Sequence, residues 1–320
     1  MSIVLPNLNR TDVPAINMLN MVNTDIPILL LSRQDEFSLN EEVLSLGGKE
    51  FVVCDFIEEG WDKSYPNTLV VGENTDEFDF MQGEGWNKLH EFLAINQPKL
   101  YLKRELQSKD QTDKLVPVEY PNWQPDYPLQ LKEQFDNRPI SAFNYWGRSH
   151  EARLMLQSQI WKHAALNGYS VCDNIFQYND FMHHERESKK LVSFHMPFYS
   201  RVEMPIIMAI NAVSKLSISL WGCGKKCFRS TGESSNDSIC VLPEDELAYS
   251  YPFIHNQNCI KFSTNNDITG LKNEWKVMET VDEALRNPRL YDIYLESKKI
   301  ADWYRIDNYI KNYLTPLINA

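Results

Sequence analysis

The stretch SKLSISLWGCGKKCFRSTGE, residues 214–233, begins as an alternating apolar run and passes directly into two glycines and then three cations. The alternation reads as a strand. Gly222 and Gly224 carry no Cβ, so a ligand can approach the backbone, and Lys225, Lys226 and Arg229 place positive charge beside exposed N–H groups. A strand that ends in such a loop suits an anion, with a phosphate or diphosphate as its natural guest. The WGCG spacing fits neither the dinucleotide fingerprint nor the Walker loop, which leaves a strand followed by a solvated basic turn as the alternative.

A second segment, RPISAFNYWGRSHEARLMLQSQIWKH at residues 138–163, repeats the arrangement. Its spacing predicts a buried strand over 140–146, a turn at Gly147 and Arg148, and a helix with Ser149 as N-cap. Strand, glycine turn and helix N-terminus together form the geometry in which α/β proteins hold phosphates. Further strands are expected near 169–172 and over 191–195, 216–220 and 239–242. In the first half of the chain the apolar runs at 26–31, 51–56 and 100–102 read as buried parallel strands. Helices are expected over 39–46, closed by Gly47, and over 86–95. The alternation of strand and helix is the mark of a doubly wound α/β sheet. Residues 107–138 shift to charge, aromatic rings and the prolines Pro117, Pro121, Pro125 and Pro128, which are expected to break any regular element and to place a linker near residue 137. From 281 to 318 the pattern is helical almost throughout, interrupted at Pro288.

Three stretches, FNYWGRSHEAR, SKLSISLWGCGKKCFRSTGE and LAYSYPFIHNQNCIKF, resemble bacterial and phage glycosyltransferases of the GT-B type, with a C-terminal domain like that of the group 1 glycosyl transferases. The likeness covers the second half of the chain well and the first half in outline. It implies an α/β fold with two Rossmann-like domains facing across a cleft. Residues 1–137 would form the acceptor side and 138–300 the nucleotide-sugar donor side, and 301–320 would be a terminal helix returning to the first domain. It also implies metal-independent sugar transfer from a nucleotide-diphosphate sugar to a glycan or other acceptor, as in polysaccharide biosynthesis, with no cofactor beyond that co-substrate. The chain departs from the pattern in three ways: Lys225 stands where relatives often carry an acid, Arg229 and Glu233 are four apart where three is usual, and no second glutamate follows Glu233 at the paired-glutamate spacing.

On that resemblance the donor site comprises Gly147, Arg148, Gly222, Gly224, Lys225, Phe228 and Glu233. Lys226 and Arg229 would neutralise the diphosphate as the glycosidic bond breaks, and Glu233 would accept the ribose hydroxyls. Closure of the cleft would exclude water. His195 ends the apolar run LVSFH, at the position where α/β sheets put their ligands, and is the candidate catalytic imidazole; a satisfied structural histidine is the alternative. His183 and His184 lie in the polar run HHERESKK, which reads as a solvated face, and the DEFD run at 76–79 is assigned no role.

Composition sets the outer bounds. A chain of 320 residues suits two domains of ordinary size. A formal charge of −12 argues against a general nucleic-acid binder, so any basic site is local. The six cysteines lack paired spacing and read as free thiols in a reducing cytoplasm. Cys223 and Cys227 lack the second ligand pair that zinc needs. Neither a signal peptide nor an apolar run long enough for a membrane span is evident. Eight tryptophans and fifteen tyrosines leave aromatic surface for sugar stacking or a partner, and homo-oligomerisation stays open. Two other readings fit the same residues: a non-catalytic nucleotide- or glycan-binding protein on a degenerate GT-B scaffold, and a sugar-converting enzyme such as an epimerase.

Overall fold

The computed structural model describes residues 4–6, 13–31, 46–56, 94–104, 106–123, 128–144, 151–167, 170–172, 192–195, 204–220, 237–265 and 275–320. Two parallel sheets organise them. The first contains β1 (Val4–Pro6), β2 (Ile28–Leu31), β3 (Val52–Asp55), β4 (Leu100–Lys103) and β5 (Leu115–Pro117), side by side in chain order, with helix α1 (Val13–Asn20) between β1 and β2. β2 and β3 pair with Ile28 opposite Val52, and β3 and β4 with Val52 opposite Leu100. These inner strands are four-residue runs, apolar up to the Asp55 and Lys103 that close β3 and β4, as expected where both faces of a parallel sheet are covered.

After the short helix α2 (Lys132–Asp136) the second sheet begins. Its strands are β6 (Ile140–Asn144), β7 (Ser170–Cys172), β8 (Val192–His195), β9 (Ser214–Ile218), β10 (Ile239–Pro243) and β11 (Ile260–Phe262), in the order β11-β10-β9-β6-β8-β7. Helix α3 (Glu151–Asn167) follows β6 and α4 (Met204–Ala212) precedes β9. The chain thus enters at β6, goes to β7 at one edge, returns to β8 between the two, then crosses to β9 on the other side of β6 and continues outward to β11. Among the described strands this reversal occurs in the second sheet, whereas the first runs without one.

The stretch 107–138 is more regular than its prolines suggest. It contains a 3₁₀ turn at Ser108–Asp110, β5 and α2. Pro117 is accommodated because β5 is an edge strand and Pro117 is its last residue, so the missing N–H removes no interior ladder bond. Pro6 closes β1 on the opposite edge in the same way. The expected helix at 39–46 lies, except for Leu46, outside the described residues, as does the one at 86–95 up to residue 93.

From Val277 onward the chain is helical: α5 (Val277–Arg286), α6 (Leu290–Tyr304), α7 (Ile306–Tyr309), a π-helical turn at Ile310–Leu314, and α8 (Thr315–Asn319). Helix α6 joins two apolar cores. Leu290, Ile293 and Tyr294 pack with α3, α5 and one face of the second sheet, through Ala142, Leu216, Ile218 and Val241. Ile300 and Tyr304 belong to a core built on β2, β3 and β4, together with α1 and Tyr309, Leu314 and Ile318. Strand β10 shows the period-two logic directly, because Ile239 and Val241 enter one core while Cys240 and Leu242 enter the other.

Arg138 pins the entrance of the second sheet. Its guanidinium lies 4.9 Å from the ring centroids of both Phe135 and Tyr294. Nη1 donates to the carbonyls of Ser214 and Asp237, and Nε donates to Gln130 Oε1 at 2.9 Å. Burial is the largest influence on this group and lowers its pKa, with Tyr294 and Asp237 opposing.

Candidate functional site

Open α/β sheets bind ligands beyond the carboxyl ends of their strands, where strand order reverses. In the second sheet that point lies between β6 and β9, which pair directly with Ala142 opposite Leu216. The chain leaves β6 at Asn144 toward the segment containing Gly147 and Arg148. It leaves β9 through Ser219 and Leu220 toward the segment containing Gly222, Gly224, Lys225, Lys226, Phe228, Arg229 and Glu233. Both glycine-and-cation segments therefore depart from neighbouring strand ends. These nine candidate residues themselves lie outside the described residues.

His195 closes β8 and pairs in register with Asn144, so β8, β6 and β9 bring His195, Asn144 and Ser219 to one edge of the sheet. The His195 side chain is outside the described set.

Asn144 and Gln157 of α3 are a feature that residue spacing did not reveal. Both are buried, and Asn144 Nδ2 donates to Gln157 Oε1 at 3.4 Å. Asn144 Oδ1 and Gln157 Nε2 have no hydrogen-bond partner among the described residues, and neither has Ser219 Oγ. Reversing both amides exchanges the roles but still leaves one acceptor and one donor unpaired. Unpaired buried polar groups cost about 1–3 kcal/mol each, so this edge gives up stability. The signal was available in the sequence: FN ends an otherwise apolar strand on a carboxamide.

The carboxyl edge of the first sheet carries charge. Asp55 ends β3, Lys103 ends β4, and the two pair in register. Asp55 Oδ2 accepts from Lys103 Nζ at 2.9 Å and from the Tyr101 hydroxyl at 2.8 Å. Arg104 follows, with its guanidinium 5.6 Å from the Tyr120 ring centroid. Sequence reasoning missed this cluster because Asp55 sits inside the run 51–56 and Lys103 just past the run 100–102, and nothing in either run shows that the two strands pair in register.

Among the described residues no group of three or more acidic, histidine or cysteine side chains could hold a metal ion. Cys54, Cys240 and Cys259 are buried, and no described helix is long and apolar enough to cross a membrane. Cys223 and Cys227 lie outside the described residues.

No protein-family model and no curated protein matches the chain. Solved structures do match. The crystal structure of a GtfA/B complex aligns at TM-score 0.53 and 11% identity over 95% of this chain, which spans 59% of that one. A glycosyltransferase from Rickettsia africae ESF-5 aligns at TM-score 0.48 and 11% identity over 99% of this chain and 97% of its own. TarM aligns at TM-score 0.49 and 11% identity over 96% of this chain and 58% of its own. At these identities the likeness is one of fold: two parallel α/β sheets of Rossmann type, as in the GT-B glycosyltransferases.

Proposed function

We propose that the protein is a glycosyltransferase that moves a sugar from a nucleotide-diphosphate donor to a glycan or other acceptor. The donor binds at the carboxyl edge of the second sheet, and the acceptor at that of the first. The observation that carries this reading is the departure of both glycine-and-cation segments from the adjacent strands β6 and β9, where the strand order reverses. The likeness of fold to glycosyltransferase structures supports it.

In this reading the chemistry is leaving-group stabilisation. Negative charge grows on the diphosphate as the glycosidic bond lengthens, and fixed cations at Lys226 and Arg229, with Lys225 and Arg148 beside them, lower the barrier more than they tighten ground-state binding. Gly147, Gly222 and Gly224 let backbone N–H groups reach the phosphates, Phe228 lines the donor, and Glu233 accepts its ribose hydroxyls. His195, at the strand end beside Asn144, takes the acceptor proton. Catalysis needs no metal ion in this scheme, since side-chain cations do the work of charge neutralisation, and the reaction belongs to the cytoplasm, where nucleotide sugars are made.

Release of nucleoside diphosphate from labelled nucleotide sugars, in the presence of EDTA and a panel of glycan acceptors, tests the proposal. Acceptor-dependent release that falls by 100-fold or more in Arg229→Ala supports it. Nucleotide binding without consumption of any donor would assign the chain instead to non-catalytic binding, the reading favoured by Lys225 and the missing second glutamate. Conversion of the donor with no acceptor present would indicate an epimerase-like enzyme.

A further inference from the structure

We infer that the exits of β4 and β5 from the first sheet and of β10 from the second are locked into one rigid unit around Glu119, so that ligand binding does not part them. Glu119 follows β5 and is 1% exposed. Its carboxylate accepts from Ser250 N at 3.1 Å, Ser250 Oγ at 2.7 Å and the Tyr309 hydroxyl at 2.9 Å, while its own N–H donates to that hydroxyl at 3.0 Å. Three chain segments meet there: the exit of β5, the exit of β10 and the C-terminal helices.

Two further ties run in parallel. Leu106–Ser108, leaving β4, and Glu246–Ala248, leaving β10, exchange backbone hydrogen bonds. Ser108 N donates to Glu246 O and Ala248 N to Leu106 O, each at 2.8 Å, around an antiparallel bridge between Gln107 and Leu247. Asn122 N donates to Tyr304 O at 2.6 Å and Ile306 N donates to Asn122 O at 3.0 Å. Phe253 and Cys259, from the segment between β10 and β11, share the apolar core of β2–β4. Separating these exits would break the bridge with its two hydrogen bonds and strip the buried Glu119 carboxylate of both Ser250 donors.

Native-state hydrogen exchange of the full chain, without added ligand, tests the lock. The amides of Ser108, Ala248, Ser250 and Asn122 are expected to match the protection of the inner-strand amides of β3 and β9, exchanging only by global unfolding. Glu119→Gln or Tyr309→Phe should speed exchange at Ser250, Ser108 and Ala248 by tenfold or more relative to those strands. Exchange at these amides 100-fold or more faster than in the strands of the unsubstituted protein would overturn the proposal, and so would variants that fold without changing that ratio. Neither outcome depends on sugar transfer, so loss of that reading is registered separately.

Discussion

Lys103 Nζ lies 2.9 Å from Asp55 Oδ2, and both side chains are almost fully withdrawn from solvent, at 4% and 0% exposure. The pair sits at the ends of adjacent strands with the Tyr101 hydroxyl on the same oxygen. Removing either partner takes away the counter-charge that the other holds at 2.9 Å. Lys103→Met should therefore destabilise by about 3–5 kcal/mol. Asp55→Asn should cost less, because Asn retains an acceptor. Chemical denaturation reports both, and Lys103→Met at less than about 1 kcal/mol would show that solvent reaches the pair.

Arg138 makes a similar case from geometry. Its planar fork serves two carbonyls and Gln130 while its guanidinium lies 4.9 Å from the centroids of the stacked Phe135 and Tyr294 rings. Arg138→Lys keeps the charge and loses the fork, so it should destabilise by about 2–3 kcal/mol, close to the cost of Arg138→Ala. A lysine variant with unchanged denaturation midpoint would contradict this account.

Alkaline pH should unfold the protein through its tyrosines. Burial raises Tyr304 and Tyr309 well above their ordinary value, with the Glu119 carboxylate adding to the rise. Burial raises Tyr313 as well, again with Glu119 adding. A raised acid is protonated in the folded state and ionises on unfolding, so its stabilising contribution is complete below the unfolded pKa of about 10 and falls as pH rises above it. Each such tyrosine adds a slope of about 1.4 kcal/mol per pH unit above that point. Stability measured from pH 8 to 11 should be flat and then fall steeply, and Tyr313→Phe should reduce the slope.

Burial pushes the Cys259 thiol up to about 12. At pH 8 it is therefore protonated, and only the thiolate reacts. Thiol titration of the native protein should leave Cys259 unmodified while the denatured chain reacts fully, with peptide mapping as the readout.

The Asn144–Gln157 pair separates stability from function. Replacing both with apolar residues, Asn144→Val with Gln157→Met, removes two unpaired buried groups and should raise stability by about 1–3 kcal/mol. If the edge serves the donor, nucleotide affinity should fall in the same variant. A gain in stability with unchanged nucleotide binding would assign the pair no part in the site.

Much of this architecture was legible in the sequence. The inner strands were read from apolar runs because burial on both faces leaves a composition signal in the chain itself: 51–56 contains β3, and 239–242 lies within β10. The edge strands β1 and β5 and the late strand β11 were not found, since three-residue strands carry little periodicity and Pro6 and Pro117 argue locally against them. What residue spacing could not show was long-range pairing. Glu119 looks like one acid in a charged, proline-rich stretch, and its partners Ser250 and Tyr309 are 131 and 190 residues away. The same holds for Asp55 with Lys103, which become neighbours only because β3 and β4 pair in register. The two glycine-and-cation segments stood out by residue type, and the strand order sets the strands that precede them, β6 and β9, side by side.

The most direct test is calorimetric titration of the full-length protein with UDP, GDP, dTDP and ADP in EDTA, comparing the unsubstituted chain with Arg229→Ala. The account expects one of these diphosphates to bind without metal, with its affinity reduced at least tenfold by the substitution, which corresponds to about 1.4 kcal/mol. Binding of none of them, or binding that Arg229→Ala leaves unchanged, would contradict a nucleotide-diphosphate donor site at the carboxyl edge of the second sheet.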